Sequence, residues 1–172
     1  MFVKRTLVAA TLMFTVMSMA ASAQSPTRLK QYKDWGAYTV VDPSRGKVCF
    51  IVSQPKDQEP KGVKRGPVFF FVSHRPQEKV FNEVNVQTGY PYRESSKATI
   101  QIGLDQFVLE TRQEDAWTEN AAIEAKLIAS MRAGANMTVT GTSRRGTTTK
   151  DFYSLSGVTA AHNRIKQECG VR

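Results

Sequence analysis

Proton-transfer chemistry near neutral pH usually involves histidine, and this chain of 172 residues has two, His74 and His162. His74 stands in the stretch PVFFFVSHRP (67–76), directly after Ser73, which invites comparison with a nucleophile and its base. Adjacent residues on a strand point to opposite faces, so these two cannot bond to each other. No G-x-S-x-G elbow occurs, and SLSG (154–157) lacks the first glycine of one; helix capping is its simpler reading. His162 falls in a helical pattern one position beyond Ala161, and no acid is spaced to join the histidines in a metal centre. Both are expected to be structural or surface residues. Glu110, Glu114 and Asp115 cluster in ETRQEDAW, but Arg112 stands among them and a helix start follows, where acids suit the helix dipole. With no phosphate-binding loop and no dinucleotide fingerprint, no catalytic residue, metal or cofactor is expected.

The basic residues carry more information. Lys61, Lys64 and Arg65 lie in a long loop, and Arg144 and Arg145 sit at the tip of SRRG. Loop tips commonly carry binding residues. If folding brings these two tips together, they make an anion-binding edge; the competing reading is that they serve solubility and guard strand edges. The net charge of +9 favours anionic partners such as lipid phosphates, acidic glycans or a host-cell membrane. The positive residues are scattered rather than blocked, which is also the pattern of a solvated, mildly basic surface, and nucleic acid is not an expected partner.

Where these partners would be met follows from the N-terminus. Lys4 and Arg5 precede the apolar run LVAATLMFTVMSMA and the small-residue stretch Ala21-Ser22-Ala23, the pattern of a secretory signal peptide. Cleavage is expected after Ala23, leaving 24–172 as one domain. No later segment is apolar enough to span a membrane, so the mature chain is expected to be soluble. Two cysteines, Cys49 and Cys169, remain. In an oxidising compartment an even pair favours a disulfide over two buried free thiols.

The elements that must position these residues are mostly strands. WGAYTVV and KVCFIVS flank DPSRG as a hairpin, and VFFFVSH with KVFNEVNVQ forms a second around RPQE. Between the hairpins, 54–67 reads as a solvated loop with three prolines. TGYPYRESS is another loop, and ATIQIGLDQFVLET gives two short strands with a tight turn. From Glu119 the period turns helical through Ile123, Leu127, Ile128 and Met131, with Gly134 as the stop. Strands resume on either side of SRRG, and Ser156 is placed to cap a last helix carrying Val158, Ala161, Ile165 and Cys169 on one stripe. In PVFFFVSHRP, Val68, Phe70, Val72 and His74 share one face while Phe69, Phe71, Ser73 and Arg75 share the other. Both faces start apolar, which predicts a strand covered on both sides. The fold class is mainly β, a sandwich or strongly curved antiparallel sheet with two short helices in a single domain.

Several blocks taken in order, CFIVSQP, PVFFFVSHRPQEKVFNEVNVQTGYPY, MTVTGTSRRGTTTKDFYSLSGVTAA and the closing Cys169, resemble the bacterial invasion-associated locus B family. The resemblance covers about Trp35 to Cys169. It implies an exported Gram-negative envelope protein of β-rich fold, at the periplasm or outer surface, with no catalytic residues to carry over. The expected function is a non-enzymatic binding or interaction module for an envelope or host-surface component, such as an anionic glycan or lipid. The alternative is a periplasmic hydrolase of envelope glycan or peptide, which would need the two histidines and an acid in one cleft.

Overall fold

A computed structural model describes residues 25–171. The expected leader, 1–23, lies outside the described residues. The strands are β1 (Thr27–Tyr32), β2 (Trp35–Asp42), β3 (Gly46–Ser53), β4 (Asp57–Glu59), β5 (Phe69–Arg75), β6 (Val80–Gln87), β7 (Lys97–Ile102), β8 (Asp105–Arg112) and β9 (Asp115–Trp117), with buried residues at every second position most regularly in β3, β5 and β7. Helix α1 (Ala121–Ala133), β10 (Asn136–Thr142), β11 (Thr148–Ser154) and α2 (Val158–Glu168) follow. All eleven strands join one sheet in the order β1-β2-β3-β5-β6-β9-β8-β7-β10-β11-β4, every named pairing antiparallel. The single, mainly β domain with two helices agrees with the sequence pattern.

The sheet does not close, but it curves until distant strands face each other. Phe70 of β5 meets the ring of Trp35 at 5.9 Å and that of Tyr153 on β11 at 5.7 Å, both edge-on. The Trp35 indole N–H donates to the Ser154 carbonyl at 3.0 Å, tying β2 to the end of β11. On this inner face Cys49, Ile51, Phe70, Val72, Val84, Val86, Ile100, Leu109 and Val139 are wholly buried. Helix α2 packs across β1, β2, β3 and β5, and α1 lies against β6, β8 and α2. Asn120 caps α1 by accepting from the Ala122 and Ile123 amides, both at 3.1 Å, a bond pair worth about 1 kcal/mol. Gly134 ends α1 as expected.

Four local expectations change. The 54–67 segment is not simply a solvated loop: β4 within it pairs with β11, and Arg65 turns inward. β1 and β9 are strands in segments without a strong alternating signal. Ser156 does not cap α2; Gly157 occupies the N-cap with φ of 95°, and a β-carbon there would collide with the Tyr32 carbonyl. Only the Phe70 face of β5 is fully buried. Phe69 and Phe71 are half-buried on the outer face, where Phe71 meets Phe50 at 6.1 Å and Phe50 stacks on Tyr38 at 5.4 Å. These rings cover each other, which is how apolar side chains persist on a face with no second layer.

Two long-range ties hold the curved sheet. The Cys49–Cys169 disulfide fastens the end of α2 to β3 across 120 residues of sequence. Second, Arg65 forms a bidentate pair with Asp151 of β11, the side chains only 6% and 1% exposed. Gln58 of β4 donates to the same carboxylate at 3.2 Å, and the guanidinium lies 5.8 Å from the Tyr90 ring centre. Burial pushes the Asp151 carboxyl up while Arg65 and Gln58 pull it back down.

Arg65→Met leaves that carboxylate buried and unpaired, so urea denaturation should show a loss of about 3–5 kcal/mol. Adding Asp151→Leu should restore much of it; a single variant within about 1 kcal/mol of the parent would show that the pair is not desolvated. Replacing both cysteines by serine should cost about 2–5 kcal/mol by the same measurement. A reducing agent should have the same effect on the parent and none on the serine variant.

Candidate functional site

The two basic tips do come together, and the segment that joins them is the loop TGYPY. Its Gly89 carbonyl accepts from the Gly66 amide at 2.8 Å, and its Pro91 carbonyl accepts from the Arg144 amide at 2.8 Å. The Tyr90 hydroxyl reaches the Thr149 hydroxyl of β11 at 2.7 Å. Gly89 is required here: its φ is 69°, and a β-carbon would strike the Gly66 carbonyl. The β10–β11 tip is closed by Ser143 and Thr147, the Ser143 amide donating to the Thr147 carbonyl at 2.9 Å.

Between the tips lies a cleft of about 690 Å³, lined among others by Val63, Lys64, Tyr90, Pro91, Arg144 and Arg145. Lys64, Arg144 and Arg145 are exposed, and none of them enters an ion pair among the described residues. Val63 and Pro91 add apolar surface to the same lining, with Val63 40% exposed. Three uncompensated cations beside apolar surface suit an anion attached to a sugar ring or hydrocarbon body.

The five basic candidates therefore divide. Lys64, Arg144 and Arg145 line the cleft. Lys61 is exposed, pairs with Asp57 four residues earlier, and faces a separate surface depression. Arg65 is absorbed into the fold by Asp151 and offers no free charge. The residues that sequence reasoning passed over are Tyr90 and Asp151. Asp151 had a readable signal: it alternates with Thr149 and Tyr153, both buried, so an acid stood in phase with the core.

The histidines are neither exposed nor separate. His74 is wholly buried, His162 is 3% exposed, and their ring centres are 5.4 Å apart. Both meet Asn82: its amide donates to His74 Nδ1 at 3.1 Å, and its Oδ1 stands 2.8 Å from His162 Nε2. No carboxylate or serine oxygen bonds either ring among the described residues. Ser73 points to the opposite face and donates to Glu83 at 3.2 Å. Burial, and then the charge of Lys166, hold His74 at a pKa of about 4. Burial followed by His74, Arg132 and Lys166 does the same for His162, also at about 4. Among the described residues no group of three or more His, Cys, Asp or Glu is placed to hold a metal, and no helix is long and apolar enough to cross a membrane.

Comparison with curated proteins and with solved structures returns no match. The family described as invasion associated locus B (IalB) protein matches residues 35–166, from the first residue of β2 to within α2. That span contains the whole cleft and both histidines, and the chain belongs to the invasion associated locus B family.

Proposed function

We propose that this protein is an exported, non-enzymatic binding module of the Gram-negative envelope that takes an anionic envelope or host-surface component into the Lys64–Arg144–Arg145 cleft. The observation that carries this reading is the cleft itself. Two basic tips, far apart in sequence, are fastened to one connecting loop so that three unpaired cations face the same space. With the backbones of both tips already fastened, only the side chains need ordering when an anion arrives. Export is supported by the leader-like N-terminus and by the Cys49–Cys169 disulfide, a bond that persists in oxidising compartments. Periplasm and outer surface both meet that condition.

The non-enzymatic half of the reading is supported by the histidines. A general base needs reach to the proton it takes. Here both imidazoles are in the core on Asn82, away from the cleft, and no acid orients them. The hydrolase alternative required a carboxylate beside them.

The test is binding of the mature chain to a soluble sulfated glycan such as heparin, and to vesicles with and without anionic phospholipid. Arg144→Ala with Arg145→Ala should weaken binding roughly 30-fold at low salt, taking about 1 kcal/mol per basic side chain near an anionic surface. Raising the salt should erase the difference. Lys30→Ala with Lys126→Ala removes the same charge elsewhere and should change affinity far less. Equal losses in the two double variants would mean that net charge, not the cleft, does the binding.

A further inference from the structure

At the opposite end of β6 from the cleft, Asn82 sits between the two histidines. The β5–β6 register slips there, with Ser73 opposite Glu83 but His74 opposite Phe81, so Asn82 is the extra residue of a bulge. Its φ is 63°, a left-handed conformation that asparagine tolerates better than most residues. The bulge aims its backbone N–H at one imidazole and its side-chain oxygen at the other.

Those two bonds fix both tautomers. His74 Nδ1 accepts, so its proton sits on Nε2. His162 Nε2 donates to a carbonyl oxygen, so its Nδ1 is bare. The atoms left over are His74 Nε2–H, a buried donor without an acceptor, and His162 Nδ1, a buried acceptor without a donor. They are complementary, on rings 5.4 Å apart. Nothing in the cleft reading uses this arrangement.

We propose that His74, Asn82 and His162 form an uncharged, asparagine-bridged cluster that holds α2 against the sheet and releases it on acidification. The step takes one proton from solvent onto His162 Nδ1, the one bare nitrogen in the cluster. The added N–H is a second buried donor without an acceptor, beside that of His74, and a full positive charge is buried. The surrounding charges oppose that cation. Lys166 of α2 and Arg132 of α1 are the cations that act on it. Each nearby acid is engaged elsewhere: Glu168 of α2 by Lys47 of β3 and by Arg164, Glu83 of β6 by Arg75 of β5, and Glu124 of α1 by the Val84 amide. A released imidazole titrates near 6.5, whereas the cluster holds both near 4. The released state therefore takes up protons first. Docking of α2 is at full strength above about pH 6.5 and weakens as pH falls towards about 4. Cys169 keeps the end of α2 tied to β3 throughout, so release is reversible and exposes the apolar floor beneath Ala161 and Ile165.

The test combines imidazole nitrogen NMR with amide-exchange protection in α2 between pH 7 and pH 4. At pH 7 both rings should be neutral with the proton on Nε2. Protection in α2 should fall about tenfold or more across the acid window while β10 and β11 keep theirs. His162→Gln can still donate to Asn82 but cannot gain charge; only His74 is then left to titrate, so the pH dependence should fall to about half. Asn82→Asp supplies a carboxylate for the imidazolium and should move the release to lower pH, a shift opposite to that of ordinary destabilisation. Asn82→Asp also decides the matter if the glutamine variant does not fold. Unchanged α2 protection down to pH 4 in the parent, or release at higher pH in Asn82→Asp, would overturn the proposal.

Discussion

The arrangement of the whole cleft depends on one buried pair, Arg65 with Asp151. An acid at an inward position of β11 cannot stay in the core alone, because desolvating an unpaired carboxylate costs several kcal/mol. Arg65 is the cation that meets it, and to do so the 54–67 segment must lie down on β11, with β4 as its paired part. Once the segment is down, its exposed Lys64 has little freedom in where it stands. The pair also sits on the Tyr90 ring, which reaches β11 through Thr149. Loop, connecting segment and hairpin tip are thus set by a charge that never reaches the surface.

The basic residues consequently do different work at nearly adjacent positions. Arg65 spends its charge on neutralising Asp151 in the core, while Lys64, one residue earlier, keeps its own in the open. The guanidinium suits the buried role because its planar fork engages both carboxylate oxygens at once. At the other tip, Arg144 is held by its backbone on Pro91, which leaves its side chain uncommitted. A rigid frame bearing uncompensated cations is costly by self-repulsion, and an anionic partner is what would offset that cost.

Much of this was legible in the sequence, and the illegible parts share a cause. Hairpins, both helices, the Gly134 stop and the Cys49–Cys169 bond follow from local periodicity, turn chemistry and redox compartment. β1, β4 and β9 do not, since short strands at sheet edges and joins are created by the partner they pair with rather than by their own alternation. The half-buried Phe69 and Phe71 misled in the same way: an apolar run implies cover, but here the cover is other aromatic rings of the same face. The proximity of the basic tips could be posed from sequence but not decided, because TGYPY carries no sign that it will bridge them. The meeting of His74 and His162 on Asn82 left no local trace at all, being a long-range consequence of a bulge and of α2 folding back onto β5.

Membership of the invasion associated locus B family places the cleft within a shared domain, and the account of that cleft makes a residue-level claim. Its most direct test is an amide chemical-shift titration of labelled residues 24–172 with a heparin fragment at low salt. The account predicts fast-exchange shifts concentrated at residues 62–66, 89–90 and 143–149, all fading together as salt is raised. Shifts spread over the exposed lysines generally, or concentrated on the outer aromatic face around Phe50 and Phe71, would contradict it.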